Sequence, residues 1–266
     1  AIGEYIIAAC EKGPSCDEGQ YYIFDQYGNT VNYGCIESEI TVVDIADNGA
    51  FFIGTRTGYY FRTGSGKIQE DLDMGILFQS VSMSENGQVV AGTDKEIFIF
   101  GEHGSQTKKE VGKPILNTAI SASGNMAIAG SVDHIFLYKK STDSWEDYPT
   151  VAKPVGLAIS DNERVVVCGN GSGIVWIFDS NLKDPEQIPL IPGGLNSMAM
   201  TGDGKYLVCG SATNKIIYFD ISGNEIWSSD ADGTIKDIAV SFDGDLVTAL
   251  SENITFLTPK GKKFRN

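Results

Sequence analysis

Histidine is almost missing from this 266-residue chain, which has His103 and His134 and no others. Neither is spaced from a second metal-ligating side chain, so a histidine-built zinc site or a Ser–His–Asp relay has no support. Long apolar runs are missing too, and none approaches the ~18 residues of a membrane-spanning helix. The chain does not open with a basic stretch followed by an apolar one, the pattern of an export signal. No 3.6-residue apolar periodicity marks an amphipathic helix, and no glycine-rich loop joins a strand to a helix to cradle a phosphate. Positive charge is scarce, with 20 Lys and Arg against 35 Asp and Glu, net −15. Such a surface repels a phosphate backbone, which disfavours nucleic acid as a partner.

What the chain has in abundance is a repeat. The stretch from Leu195 to Trp227 reads as four short apolar strands joined by turns at Gly202-Asp203-Gly204, Ala212 to Asn214 and Ser222-Gly223-Asn224. The first turn recurs at Asp47-Asn48-Gly49, Glu85-Asn86-Gly87, Ala122-Ser123-Gly124 and Phe242-Asp243-Gly244. Asn-Gly and Asp-Gly supply the mirror-image turns that suit a β-hairpin. One copy, Asp161-Asn162-Glu163, has no glycine, and Asn162 is the residue expected to take the left-handed conformation there. Second strands close on Gly54, Gly92, Gly130, Gly169 and Gly210, spaced by 38, 38, 39 and 41 residues. Four strands per ~40 residues is the period of a β-propeller.

The fold class expected is therefore all-β: one seven-bladed propeller domain over 1–266, built of four-stranded antiparallel blades. The blades run approximately 1–39, 40–75, 76–114, 115–154, 155–194, 195–233 and 234–266. In the first, Tyr5 to Ala9 aligns with second strands, and Ala1-Ile2-Gly3 stands where the Asp-Gly turn falls elsewhere. The expectation is that this blade lacks its innermost strand, either because a strand preceding Ala1 is absent or because the blade stays three-stranded.

Propeller topology sends the loops after second strands and the inter-blade segments to one surface, where binding concentrates. These segments are acidic, and include Glu37 and Glu39. The candidate partner-binding residues among them are Asp17, Glu18, Arg56, Asp71, Asp73, Asp94, Asp133, Asp230 and Asp232. Asp230-Ala-Asp-Gly233 resembles a fragment of a calcium loop, but Ser228 and Ala239 fall at its outer ligand positions. It reads as a turn between blades, and no metal site and no cofactor are expected. A central channel would offer Asp44 and Asp237 from first strands to a sugar or another small ligand.

Three of the five cysteines, Cys10, Cys16 and Cys35, belong to the first blade around the inserted loop Cys10 to Gly19. A Cys10–Cys16 disulfide would pin this loop, and Cys16–Cys35 is the competing pairing. Cys168 and Cys209 stand where other copies carry alanine and read as small core residues. Asn170-Gly-Ser172 and Asn253-Ile-Thr255 are glycosylation triplets, relevant only to an exported protein.

Ile238 to Gly244, Met198 to Gly204 and Ile216 to Trp227 carry a resemblance to the WD40-like and PQQ-like propeller repeats of prokaryotes, archaeal surface proteins above all. Third strands end in Phe24-Asp25, Phe178-Asp179 and Phe219-Asp220 where the eukaryotic type has Trp-Asp, and no Gly-His is present. The tryptophans are too few for a quinone-dependent enzyme. The resemblance implies a non-catalytic, monomeric interaction scaffold, meeting a protein or cell-surface polymer through its acidic loops. It also implies an extracellular or cell-surface location, with a cytoplasmic one as the alternative. The competing function is an enzyme or sugar binder using the central channel.

Overall fold

A computed structural model describes residues 5–10, 16–62, 68–101, 106–150, 152–183, 185–188 and 191–263. Among them there is no helix; every element is a strand in one of seven antiparallel sheets. Five sheets have four strands and two have three, and in all of them sequence neighbours pair in order as a meander. The propeller fold and its seven blades are thus borne out. The first sheet, Tyr5–Cys10, Gly19–Asp25 and Thr30–Ile36, has three strands, with Tyr5–Cys10 at its edge. The seventh, Asp237–Val240, Val247–Leu250 and Ile254–Leu257, also has three, extended by a single bridge from Leu257 to Lys263. The chain forms two compact units, 1–129 and 130–266, and the division falls inside the strand Met126–Gly130.

The repeat is held by side chains that close each turn. Gly49, Gly87, Gly124, Gly204 and Gly244 all take positive φ between 71° and 86°, the conformation an L side chain resists. Three residues before the last four of these, Ser84, Ser121, Thr201 and Ser241 place a hydroxyl under the turn. Thr201 Oγ1 donates to Asp203 and accepts from the Tyr206 amide, and Ser241 does the same with Asp243 and Leu246. In the copy without glycine the left-handed residue is Glu163 (φ 60°), not Asn162. The reason is that Asn162 is used as an acceptor: its Oδ1 takes the Ser160 hydroxyl and the Arg164 amide. That role fixes Asn162 before the left-handed position.

The tip after each second strand is closed in the same way. Thr55 and Thr93 accept amides from Gly58 and Glu96 and donate to the carbonyls of the same residues. Third strands end on aspartates that cap the next turn: Asp25 accepts from the Tyr27 and Asn29 amides, Asp179 from Asn181 and Lys183, and Asp220 from Asn224. The hydrogen bonds from Asn29 and Asn224 hold the Asp25 and Asp220 carboxyls below their usual range, and backbone amides do so for Asp179.

The glycines that end second strands have a packing role. A β-carbon on Gly54 would stand 2.6 Å from both Phe78 Cβ and Val42 Cγ2, too close for any real contact. Gly92 meets Ile115, Gly169 meets Leu195 and Gly210 meets Ile235 in the same manner. Each glycine receives the residue that opens the next sheet, so the spacing near 40 is a packing period. The cores differ in chemistry. Between the second and third sheets six rings interlock, among them Phe52, Tyr59 and Phe100 with centroids 4.8–5.4 Å apart. In the second unit one cluster is mostly aliphatic, built from Val167, Val175, Leu195, Leu207 and Ile217 with Cys209 and a single ring, Phe219. Cys209 is fully buried and its thiol is pushed up to about 12 by burial, as a core residue should be. The Cys168 side chain lies outside the described residues.

Candidate functional site

The insertion in the first blade is tied by a Cys16–Cys35 disulfide with a Cα–Cα separation of 5.6 Å; Cys10 is a free, exposed thiol. This decides between the two pairings, and against Cys10–Cys16. The register explains it: Cys10 lies across from Gln20, and Gln20 across from Cys35, so a whole strand separates Cys10 from Cys35. Cys16 is brought to the outer strand, within the 4.4–6.8 Å span a disulfide tolerates.

The disulfide has a consequence for the acidic loops. Glu18 follows Cys16 by two residues and Glu37 follows Cys35 by two, so one covalent bond fixes both carboxylates. They line a cleft of about 650 Å³ together with Ser38, Glu39, Arg56, Thr57 and Asp73. Arg56 comes from the tip turn that Thr55 closes, and its guanidinium pairs with Glu39 through Nε and, at 3.1 Å, through a terminal nitrogen. The Arg56 hydrogen bond holds the Glu39 carboxyl below its usual range. Asp73 ends the strand Ile68–Asp73, and its Oδ1 accepts the Gly75 amide at 3.1 Å. A second hollow of about 220 Å³ shares Glu37, Ser38, Thr57 and Asp73 and is bounded by Tyr59 and Tyr60, whose rings are engaged by the core and by Arg62 respectively. The site is therefore a carboxylate-lined cleft with one arginine.

Of the nine expected partner-binding residues, Glu18, Arg56 and Asp73 line this cleft. Asp17 is exposed beside the disulfide and Asp94 is exposed on the tip turn of the third sheet. The Asp71 backbone pairs with Tyr60, and its side chain lies outside the described residues. In the second unit, Asp133 Oδ1 sits 2.9 Å from His134 Nδ1 and accepts from the Ser131 hydroxyl. Asp230 pairs with Lys215 at 2.6 Å and Asp232 with Lys263 at 3.7 Å. Those two carboxylates of the calcium-like fragment thus meet lysines. Among the described residues no group of three or more His, Cys, Asp or Glu is placed to hold a metal ion. Glu37 and Glu39 were legible only as acidic; their distance from the cysteines carried the signal. Of the glycosylation triplets, Asn170 is fully buried, its Oδ1 closing a turn to Ser172 and Ile174, while Asn253 is exposed. His103 lies outside the described residues.

The two first-strand aspartates, Asp44 and Asp237, are each held by hydrogen bonds within their own unit. Asp44 Oδ1 accepts the Ile45 amide and Oδ2 the Met83 amide at 2.7 Å, fastening one first strand to the next. Some of its surface stays accessible, yet burial among the packed strands pushes its carboxyl up to about 6, against the lowering effect of both amides. Asp237 accepts from the Ser197 hydroxyl and the Ile238 amide in a similar splice. A hollow beside the Asp44 strand is lined by Val42, Val43, Ser80, Val81, Leu116, Asn117 and Thr118, which offer no acid–base pair.

These observations define the class: an all-β propeller of seven antiparallel sheets. No protein-family model matches the chain. It is 24% identical over 207 residues to Actin-interacting protein 1 of Caenorhabditis elegans, covering 73% of this chain and 34% of that protein. The chain therefore spans about a third of the length of the curated relative it matches. Among solved structures it resembles a chain of the mitotic checkpoint complex, with TM-score 0.72 at 14% identity over 86% of this chain and 78% of that one. It also resembles the computationally designed Ika8 protein, with TM-score 0.79 at 15% identity over 98% of this chain and 83% of that one. At such identities the likeness is one of fold.

Proposed function

We propose that the chain is a non-catalytic interaction scaffold whose acidic cleft receives a basic segment of a protein or surface-polymer partner. The observation that carries this reading is the fixed convergence of Glu18, Glu37, Glu39 and Asp73 around a single arginine, under a disulfide. Preformed carboxylates of one sign steer a cationic partner and select it over anionic ones. The sequence relative named for interacting with actin supports a partner-binding role in general. The archaeal-surface likeness agrees with a disulfide, which persists in oxidising surroundings, so we place the protein outside the reducing cytosol.

The test is binding of a lysine-rich peptide to the intact chain, followed by fluorescence anisotropy. Replacing Glu18, Glu37 and Asp73 together by Gln, Gln and Asn should weaken binding at least about tenfold and flatten its salt dependence. Cys35→Ser should weaken it by releasing Glu18 and Glu37 from each other. Unchanged affinity in the triple variant would remove the cleft from the function. Recovery of Cys16 and Cys35 as free thiols from the acid-quenched native host would favour the cytoplasmic alternative.

A further inference from the structure

The two glycosylation triplets fall on the same tip of two different sheets, but at different stations within it. Directly after the residue that closes each second strand stands Thr55, Thr93, Ser131, Asn170, Ser211 or Ser251, and each of these is at most 1% exposed. This is the position whose side chain closes the tip. Thr55 accepts the Gly58 amide, Thr93 the Glu96 amide, Ser211 the Lys215 amide, and Asn170 the amides of Ser172 and Ile174. Two residues further on the chain turns outward, and Thr57, Lys95, Ser172, Thr213 and Asn253 are exposed. Asn170 therefore holds the inward station and Asn253 the outward one. The outward station is exposed even in sheets packed on both sides, as Lys95 and Thr213 are, so the placement of Asn253 belongs to the repeat.

An N-linked glycan is attached through the side-chain amide nitrogen, so the space around that nitrogen decides whether a modified chain can fold. Asn170 Nδ2 is buried, and its Oδ1 is committed to two amides at 3.1 Å. A close-packed interior has no room for a sugar ring there, and a chain modified at Asn170 would have to open the tip. At Asn253 the backbone carbonyl is engaged by the amide and hydroxyl of Ser251, while its side chain makes no hydrogen bond among the described residues. A sugar on Asn253 Nδ2 projects into solvent and breaks no contact. The third residue of the triplet adds timing. Thr255 is 8% exposed and lies opposite Ala249 in the strand Ile254–Leu257. The acceptor triplet is read through its hydroxyl residue as well as its asparagine, so transfer belongs before this strand pairs into its sheet.

We infer that Asn253 carries an N-linked glycan in the folded protein and that Asn170 does not. The inference rests on the location outside the reducing cytosol given above, and is independent of what the acidic cleft binds. The donor is an oligosaccharide activated as a lipid phosphate ester. Asn253 Nδ2 attacks the anomeric carbon of the sugar, and the bond from that carbon to the phosphate oxygen breaks. The lipid phosphate leaves with the electron pair, and the amide nitrogen gives up one proton.

The test is mass spectrometry of the chain purified from its native host and cut with trypsin, which isolates the two triplets on separate peptides. The peptide from Asp237 to Lys260 should carry sugar mass in most molecules, and the peptide from Val165 to Lys183 none. Asn253→Gln should abolish the added mass. Thr255→Val, which keeps the buried shape and removes the hydroxyl, should abolish it too, and Thr255→Ser should retain it. An unmodified Asp237 to Lys260 peptide from a chain whose Cys16–Cys35 disulfide is intact would overturn this inference and leave the location standing. The same unmodified peptide with Cys16 and Cys35 recovered as free thiols would overturn both. Sugar on the Asn170 peptide of folded protein, or sugar that survives Asn253→Gln, would also overturn it.

Discussion

Tyr5–Cys10 and Phe51–Thr55 hold the same station in consecutive sheets and have nearly the same apolar content, yet their surroundings are opposite. Phe51 is 2% exposed, sealed by Tyr21, Ile23 and Ile36 of the first sheet; Ile6, its counterpart, is 57% exposed. Five of five residues are buried in the second strand of the second sheet, and none of six in that of the first. Burial is therefore a property of the neighbours a strand is given. The repeat supplies an interior strand each time, and among the described residues that of the first sheet is paired on one side only. Regular sheets spend their polar groups on closing turns. The first two sheets do so too, at Asp25 and Thr55, and also gather carboxylates into a surface cleft.

The largest test of this contrast is truncation of the paired residues. Phe51→Ala should cost about 3–5 kcal/mol, the usual loss for a buried ring, and Ile6→Ala within about 0.5 kcal/mol, both measured by urea unfolding. Equal losses would mean that Ile6 is covered in solution.

The next effect comes from the strand that Phe51–Thr55 has and Tyr5–Cys10 lacks. Asp44 lies opposite Phe52 on that strand, and burial raises its carboxyl from 3.8 to about 6. A carboxyl raised by folding holds its proton more tightly in the folded state. Its contribution is fully present below about pH 4 and is lost as pH rises through about 6. The shift corresponds to roughly 3 kcal/mol. Asp44→Asn should remove this decline between pH 4 and 6 in a pH series of urea midpoints. A wild-type midpoint that rises steadily across that window, with the variant in parallel, would show that the carboxylate is not desolvated.

How much of this was legible depends on how far apart the cause and its effect lie in the chain. Gly49 and Gly204 announce their turns because the left-handed residue and its neighbours are contiguous. Thr55, Thr93 and Ser211, which close the tips, were equally local and readable, since each directly follows a second-strand glycine. The glycines themselves showed their period but not their cause, because Phe78 and Ile115 arrive from the next sheet. The cysteine pairing was out of reach for a related reason. Cys10 is nearer to Cys16 in sequence, and only the strand register reveals that Cys35 is nearer in space. The acidic loops were visible as composition, while their sorting into a cleft or into lysine pairs required knowing which sheets are adjacent.

The smallest effect isolates one atom of the comparison. Gly54 and Ala9 are equivalent, but Gly54 has Phe78 and Val42 against it, whereas Ala9 faces the cavity beside Ile40. Gly54→Ala forces a β-carbon to within 2.6 Å of two side-chain carbons. It should destabilise by about 1–3 kcal/mol, because overpacking outweighs the few tenths gained from a stiffer unfolded chain. Ala9→Val adds two methyls toward open space and should change stability by no more than about 0.5 kcal/mol. If Ala9→Val is instead as damaging as Gly54→Ala, that cavity is already filled in solution, and the two strands are more alike than their surroundings indicate.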